Sequence, residues 1–201
     1  MARTSSAQFD EQRPTATLVA LLRAGEQSAA AAFARIARRL TAGEFTLAAA
    51  PLALLIADEQ RHEEVLAAHA AVLPQVATED ARTRRFFRRM ESREPHLHLA
   101  RVAALDACVC QVLSRVLRPS ARQLLNAALG MRLAEIRSDE AQHVRLTRSL
   151  CTALDMDAAQ ITRIGCEVRH EFAALLTTRA ASFQALRVDV DDLIARIRRE
   201  R

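Results

Sequence analysis

Two short segments carry side chains suited to holding metal: Glu59-Gln-Arg-His62 and Glu140-Ala-Gln-His143. Each sets a carboxylate and an imidazole three residues apart, which on a helix is one turn along one face. Each is preceded by an aspartate, Asp58 and Asp139. Random placement of the 14 Glu and 6 His among 201 residues gives about 0.4 Glu-x-x-His pairs, yet the sequence holds three, the third being Glu167-Val-Arg-His170. Two further acids sit on apolar stripes. Glu26 lies among Val19, Leu22, Ala29, Ala30 and Phe33, and Asp106 among Val102, Ala103, Val109, Cys110 and Leu113. Glu59 follows Leu52, Leu55 and Ile56, and Glu140 follows Leu133 and Ile136. Stripes of this period face a core. A carboxylate there must be protonated, paired or metal-bound. Four acids and two histidines converging in one core call for two divalent cations, which bring the compensating charge. The plainer alternative is helical salt bridging, with Asp58 and Arg61 as i,i+3 partners.

The elements that must position these residues are helices. Half of the residues are apolar, dominated by Ala and Leu, with 4 Gly and 5 Pro, a helix-favouring composition. Residues 1–13 read as a flexible polar tail and 14–201 as one domain. In that domain, 14–154 would be a core bundle and 155–201 a C-terminal helical extension. Pro14 suits a first helical turn, opening a helix to about Leu40. The break is Thr41-Ala-Gly-Glu, and a second helix spans about Leu47–Leu73, stopped by Pro74. Residues 75–94 are polar and Arg-rich, with room for a short helix. A third helix runs from Pro95 to Arg118. A fourth is capped by Ser120 and runs to about Leu154. Asp157 and Gln160 resemble a capping box opening a fifth, to about Leu186, and a basic amphipathic helix covers roughly 189–200. A connection of about 20 residues between the second and third helices can return the chain along the bundle and make them parallel. Glu26 precedes Glu59 by 33 residues and Asp106 precedes Glu140 by 34. The two halves therefore repeat one pattern, as a two-metal centre requires.

The pattern resembles the ferritin-like di-iron carboxylate superfamily, in which one acid on each of two helices joins Glu-x-x-His on each of two others. Asp58-Glu59-Gln60-Arg61-His62 is similar to the acid-Glu-x-Arg-His motif of bacterial multicomponent monooxygenases and acyl-carrier-protein desaturases. Asp139-Glu140-Ala141-Gln142-His143 matches it without the arginine, and the spacing from Glu26 to Glu59 resembles that of bacterioferritin. The resemblance covers about residues 14–154. It implies an all-α, ferritin-like four-helix bundle with a long crossover between helices 2 and 3, plus C-terminal helices. It further implies two iron ions, or a manganese–iron pair. Glu26 and His62 would be terminal ligands of one metal, Asp106 and His143 of the other, and Glu59 and Glu140 would bridge. Asp58 and Asp139 would accept the free N–H of the opposite histidines, with Arg61 bracing an aspartate.

Departures from that family narrow the chemistry. The chain has no Tyr, which excludes a stored tyrosyl radical, and no Cys-x-x-Cys, which excludes a rubredoxin-like iron site. It is much smaller than desaturases or monooxygenase α-subunits. The roughly 45 residues past the bundle are not the bacterioferritin pattern, which bears against a cage. Arg supplies every positive side chain, for a net charge of +5, which attracts acidic partners and argues mildly against collecting iron. With 3% aromatics, all Phe, the chain is poor in base-stacking platforms, which argues against nucleic acid as a partner. No uncharged stretch reaches membrane-span length, no secretory signal opens the sequence, and four cysteines in helical patterns suit reduced thiols, so the expected location is cytoplasmic.

Weaker signals stay open on sequence alone. Glu167 and His170 read as a solvated or salt-bridged patch, or as an extra ligand or proton relay. Cys110 is a small core residue or a pocket-lining thiol. His96 and His98 suit surface or capping roles, and His69 the core edge. The run Arg82, Arg84, Arg85, Arg88 and Arg89 is a solvated face, or a docking patch for a phosphate-bearing or carrier-tethered substrate. The expected function is an O2-dependent di-iron oxidase or oxygenase acting on an organic substrate with an external electron donor, as a monomer or homodimer. The alternatives are a ferroxidase and a non-enzymatic iron or oxygen sensor.

Overall fold

The structure, a computed structural model, describes residues 3–41, 49–75 and 81–199. Among these residues there are helices and no strands: α1 (Arg3–Thr41), α2 (Ala49–Ala70), α3 (Ala81–Met90), α4 (Pro95–Val116), α5 (Pro119–Arg122), α6 (Ala127–Ala153), α7 (Ala158–Thr177), α8 (Ala180–Ala185) and α9 (Val190–Arg199). The chain is all-α.

Four long helices form the centre. α1 and α2 run antiparallel: Ala16 and Ala20 line one cavity with Ala67 and Ala70, whereas Phe33 and Ile36 share a cluster with Leu52 and Leu55. α4 and α6 also run antiparallel, Leu99 and Ala100 packing with Leu150 and Cys151, and Leu113 and Val116 with Leu129 and Leu133. α2 meets α6 through Asp58 against His143 and His62 against Asp139. These two are therefore antiparallel as well, which leaves α2 and α4 pointing the same way. Between them in the chain lies α3.

The apolar residues fall into two clusters, and Glu26 of α1, Glu59 and His62 of α2, and Glu140 and His143 of α6 lie between them along their helices, with Asp106 of α4 beside them. One cluster holds Phe33, Leu52, Leu55, Leu99 and Leu150. The other holds Leu18, Leu22, Leu66, Leu113, Leu133 and Ile136. Each fully buried leucine contributes about 1.5–3 kcal/mol relative to exposure, so stability resides in the layers above and below the polar one. The C-terminal helices belong to the same core. Val168, Phe172, Leu176, Phe183, Leu193 and Ile197 join the second cluster, and buried Arg115 of α4 pairs with Asp192 of α9.

Several boundaries differ from the sequence reading. α1 begins at Arg3 with Pro14 inside it, so residues 3–13, expected as a tail, are helical. Proline costs one backbone bond and a local bend, and the tertiary packing that buries Ala16, Leu18 and Val19 just beyond it holds the helix together. Ser120 does not cap the helix that carries Glu140. It lies in the short α5, and the cap is Asn126, whose side chain accepts from the Ala128 N–H at 2.8 Å. The box opening α7 forms in both directions, at 2.7 and 3.0 Å between Asp157 and Gln160. α7 stops at Thr177 rather than near Leu186, and Arg187 at φ 56° turns the chain into α9. The expected break at Ala42-Gly-Glu lies outside the described residues. α4 is long and apolar enough to cross a membrane by length and composition, because its few charges are spaced out, but 67% of its apolar window is buried within this fold. Among the described residues the cysteines form no disulfide.

Candidate metal centre

Glu26 comes from α1, Glu59 and His62 from α2, Asp106 from α4, and Glu140 and His143 from α6. Each is at most 4% exposed. On α2 and α6 the i,i+3 spacing turns acid and imidazole to the same interior face.

Donor atoms of Glu26, Glu59, His62 and Glu140 lie within 4.8 Å of one another, as do those of Asp106, Glu140 and His143. Glu140 belongs to both groups. His62 Nδ1 stands 3.2 Å from Glu26 Oε2 and 3.3 Å from Glu140 Oε1. His143 Nδ1 stands 3.1 Å from Glu59 Oε1 and 3.7 Å from Glu140 Oε2. The two imidazoles stack, with centroids 5.8 Å apart. Their outward nitrogens meet the aspartates crosswise: His62 Nε2 lies 3.1 Å from Asp139 Oδ2, and His143 Nε2 lies 3.3 Å from Asp58 Oδ2. Arg61 donates to both Asp58 and Asp139, at 2.5 and 3.1 Å. Arg61 is thus more than an i,i+3 partner, since it ties the two aspartates, and through them both rings, across the α2–α6 interface.

Burial, aided by the Glu140 charge, raises Glu26 above the usual carboxylate values and Glu59 and Asp106 well above them. Burial also disfavours ionised Glu140, but the neighbouring His143 and His62 imidazoles outweigh it and hold Glu140 low. For His62, burial opposes the imidazolium, yet Glu140, Glu26 and Asp139 overcome it and push the ring up to about 10. His143 is raised against burial by Glu140 and Asp58. Asp58 is lowered by His143 and Arg61 despite burial. Without metal, protons would have to do what cations otherwise do here.

The residues fit divalent cations. Glu59 Oε1, Asp106 Oδ2 and His143 Nδ1 are buried and make no hydrogen bond. Glu59 Oε1 and His143 Nδ1 face each other at 3.1 Å without the alignment of one. Buried donor atoms crowded together and unsatisfied are the arrangement a shared cation resolves, with each ligand about 2 Å from it. The buried Glu and His groups could therefore hold metal ions, and two divalent ions would balance the four carboxylates.

A cavity of about 30 Å³ abuts the centre, lined by Glu26, Glu59, Asp106 and Glu140 on one side and by Leu21, Leu22, Phe87, Val109, Val112 and Phe172 on the other. That is about the volume of one liquid water. Phe87 and Phe172 were not singled out in the sequence. For Phe87 the signal was present, because Thr83, Phe86, Phe87 and Met90 form the buried stripe of α3 between its arginines.

The other sequence candidates fall elsewhere. Glu167 and His170 are exposed and Glu167 pairs with Arg163 at 3.4 Å, because Val168, Arg169 and Phe172 take the buried face of α7. They are surface residues and no extra ligands. Cys110 does not line the cavity. Its thiol points to the Arg137 carbonyl at 3.8 Å, while Val109 takes the inward position. His69 is half-buried and outside the cluster. His98 is buried, and its Nδ1 accepts from the Ser92 N–H at 3.1 Å. It therefore closes the turn before α4 from inside the fold, and burial together with Arg35 and Arg101 lowers it to about 4. The arginines of α3 are exposed, with Arg89 near Glu171 at 3.3 Å.

Asp139→Ala is expected to weaken metal binding by about 10–100-fold, because the acceptor that orients His62 is lost while every candidate ligand stays. Competition against a chelator of known affinity measures this, and an unchanged affinity would show the aspartate to be irrelevant to the site. No protein-family model, no curated protein and no solved structure matches this chain.

Proposed function

We propose that the chain is a ferritin-like di-iron protein, with α1, α2, α4 and α6 as its four-helix bundle, and that it uses O2 to oxidise an organic substrate. The observation that carries this reading is the polar layer itself: six buried donor residues, three of whose atoms are unsatisfied, with the four acids among them lining an otherwise apolar cavity. Two ferrous ions held there would supply the electrons for reducing O2. Glu140, which belongs to both groups of donor atoms, would serve both ions, with Glu59 beside it completing the set. Arg61, Asp58 and Asp139 hold the imidazole rings in one orientation. Phe87, Phe172, Leu21 and Leu22 exclude water from the cavity side, which strengthens every charge interaction within it.

The lining bears on the substrate. Apart from the acids, the side chains facing the cavity are apolar, which suits O2 and an apolar group better than a stream of hydrated iron. Its size favours a second reading, a ferroxidase. About 30 Å³ admits a diatomic molecule, whereas an organic substrate must displace Phe87, which a short amphipathic helix carries.

The two readings separate when the purified protein is mixed with O2 and about 20 equivalents of Fe(II). The expected result is consumption of O2 matching about two irons per chain, with further turnover only when an electron donor is added. Continued O2 uptake with iron accumulating on the protein would replace the oxidase reading with the ferroxidase one. No O2 uptake would leave a structural or sensing metal.

A further inference from the structure

Outside the metal layer, α4, α6 and α7 enclose a groove of about 360 Å³, within the size of small-molecule sites. Its floor is made of Ala100, Ala103, Ala104 and Gly165, and two arginines line it, Arg148 from α6 and Arg169 from α7. No acid lines it.

Arg169 is 6% exposed. Its Nη2 donates to the Cys166 thiol at 3.1 Å, and its Nε has no partner. Among the described residues, no carboxylate pairs with it or with Arg148. A guanidinium keeps its charge at any ordinary pH, and a buried charge left alone is strongly destabilising. The fold nonetheless makes room for it. A Cβ at Gly165 would stand 2.8 Å from Arg169 Nη1, so the glycine, a poor residue for a helix interior, is what lets the guanidinium lie across α7. Two cationic forks over a floor of small apolar side chains lack one thing, a negative group.

We infer that this groove binds an oxyanion, the carboxylate or phosphate end of a small molecule whose apolar part lies along the alanine floor. Guanidinium groups hold both anions through paired hydrogen bonds. The groove shares no residue with the metal cluster. It flanks that cluster all the same, since Ala103 lies about 4.5 Å along α4 from Asp106 and Arg169 about 4.5 Å along α7 from Phe172.

Titration calorimetry on the full chain at constant ionic strength, with inorganic phosphate in one arm and octanoate in the other, tests the assignment. One saturable site per chain is expected, and the tighter arm identifies the ligand as phosphorylated or as a carboxylate with an apolar tail. Arg169→Met and Arg148→Met should each weaken binding about tenfold or more, the scale of one charge-assisted pair. Gly165→Ala should weaken it several-fold while leaving net charge untouched, because only the seat of Arg169 changes. It should also fold, since the crowded atom is the end of a flexible side chain. Metal content is measured alongside, so that phosphate held at the metal centre is recognised by its independence of Arg148 and Gly165. Absence of a saturable site, or binding equal in wild type, Arg148→Met and Gly165→Ala, would overturn the proposal and leave only the diffuse attraction of a basic surface.

Discussion

Glu140→Ala is expected to abolish metal binding at both positions, whereas His62→Ala is expected to abolish it at one. Glu140 is common to the two groups of donor atoms and stands near both rings. Removing it takes a ligand from each cation at once. His62 serves only the group containing Glu26 and Glu59. Elemental analysis after dialysis against a weak chelator should show about two metals per chain in wild type, about one in His62→Ala and close to none in Glu140→Ala, as expected for a shared carboxylate in a di-metal bundle. Glu167→Ala and His170→Ala, on the exposed third motif, should retain wild-type content. Full occupancy in Glu140→Ala, with the helical circular-dichroism signal intact, would end the di-metal reading.

Removing metal should lower the melting temperature, and the loss should grow with pH. A ligand present at about 1,000 times its dissociation constant stabilises the fold by about 4 kcal/mol, which for a chain of this size is roughly 10 °C. The pH dependence follows from the groups in the layer. In the metal-free fold Glu26, Glu59 and Asp106 are raised above their ordinary values. The folded chain therefore binds their protons more tightly than the unfolded chain does. That contribution is complete below the ordinary carboxylate range and is lost as pH rises through the raised values. His62, raised from 6.5 to about 10, acts in the same sense: its contribution is whole below 6.5 and lost through about 10. Glu140 and Asp58, both lowered, act in the opposite sense and favour the fold only above the ordinary carboxylate range. The metal-free protein should thus be most stable in mildly acid solution and decline through neutral to alkaline pH. Metal requires deprotonated ligands, so the loaded form gains as the free form loses. Calorimetric scans of both forms from about pH 5 to 9 check this. A metal-free melting temperature that rises with pH, or one equal to that of the loaded form at pH 8, would mean the acids are not confined together.

How much of this was legible beforehand follows from the range of each interaction. The all-α class was written in the composition, and the polar layer in i,i+3 spacing on apolar stripes, because helical periodicity is local and needs no partner to be read. The box at Asp157 and Gln160 was readable for the same reason, its two bonds spanning three residues. The course of α1 through Pro14, the capping of α6 by Asn126 rather than Ser120, and the early stop of α7 were decided by packing, which outweighs local preferences of about 1 kcal/mol for a cap and about 3 kcal/mol for a proline within a helix. The third Glu-x-x-His shows the limit most clearly. By spacing, Glu167 and His170 equal the other two pairs, and only the docking of α7 through Val168 and Phe172 turned them to solvent. By itself the sequence determined which residues could bind metal and that helices would carry them. Tertiary structure alone decided which donors meet, that Phe87 and Phe172 reduce the space beside them to about 30 Å³, and that Arg169 lies buried without an acid. Each of those facts depends on contacts between residues far apart in the chain, whose encounter no local pattern encodes.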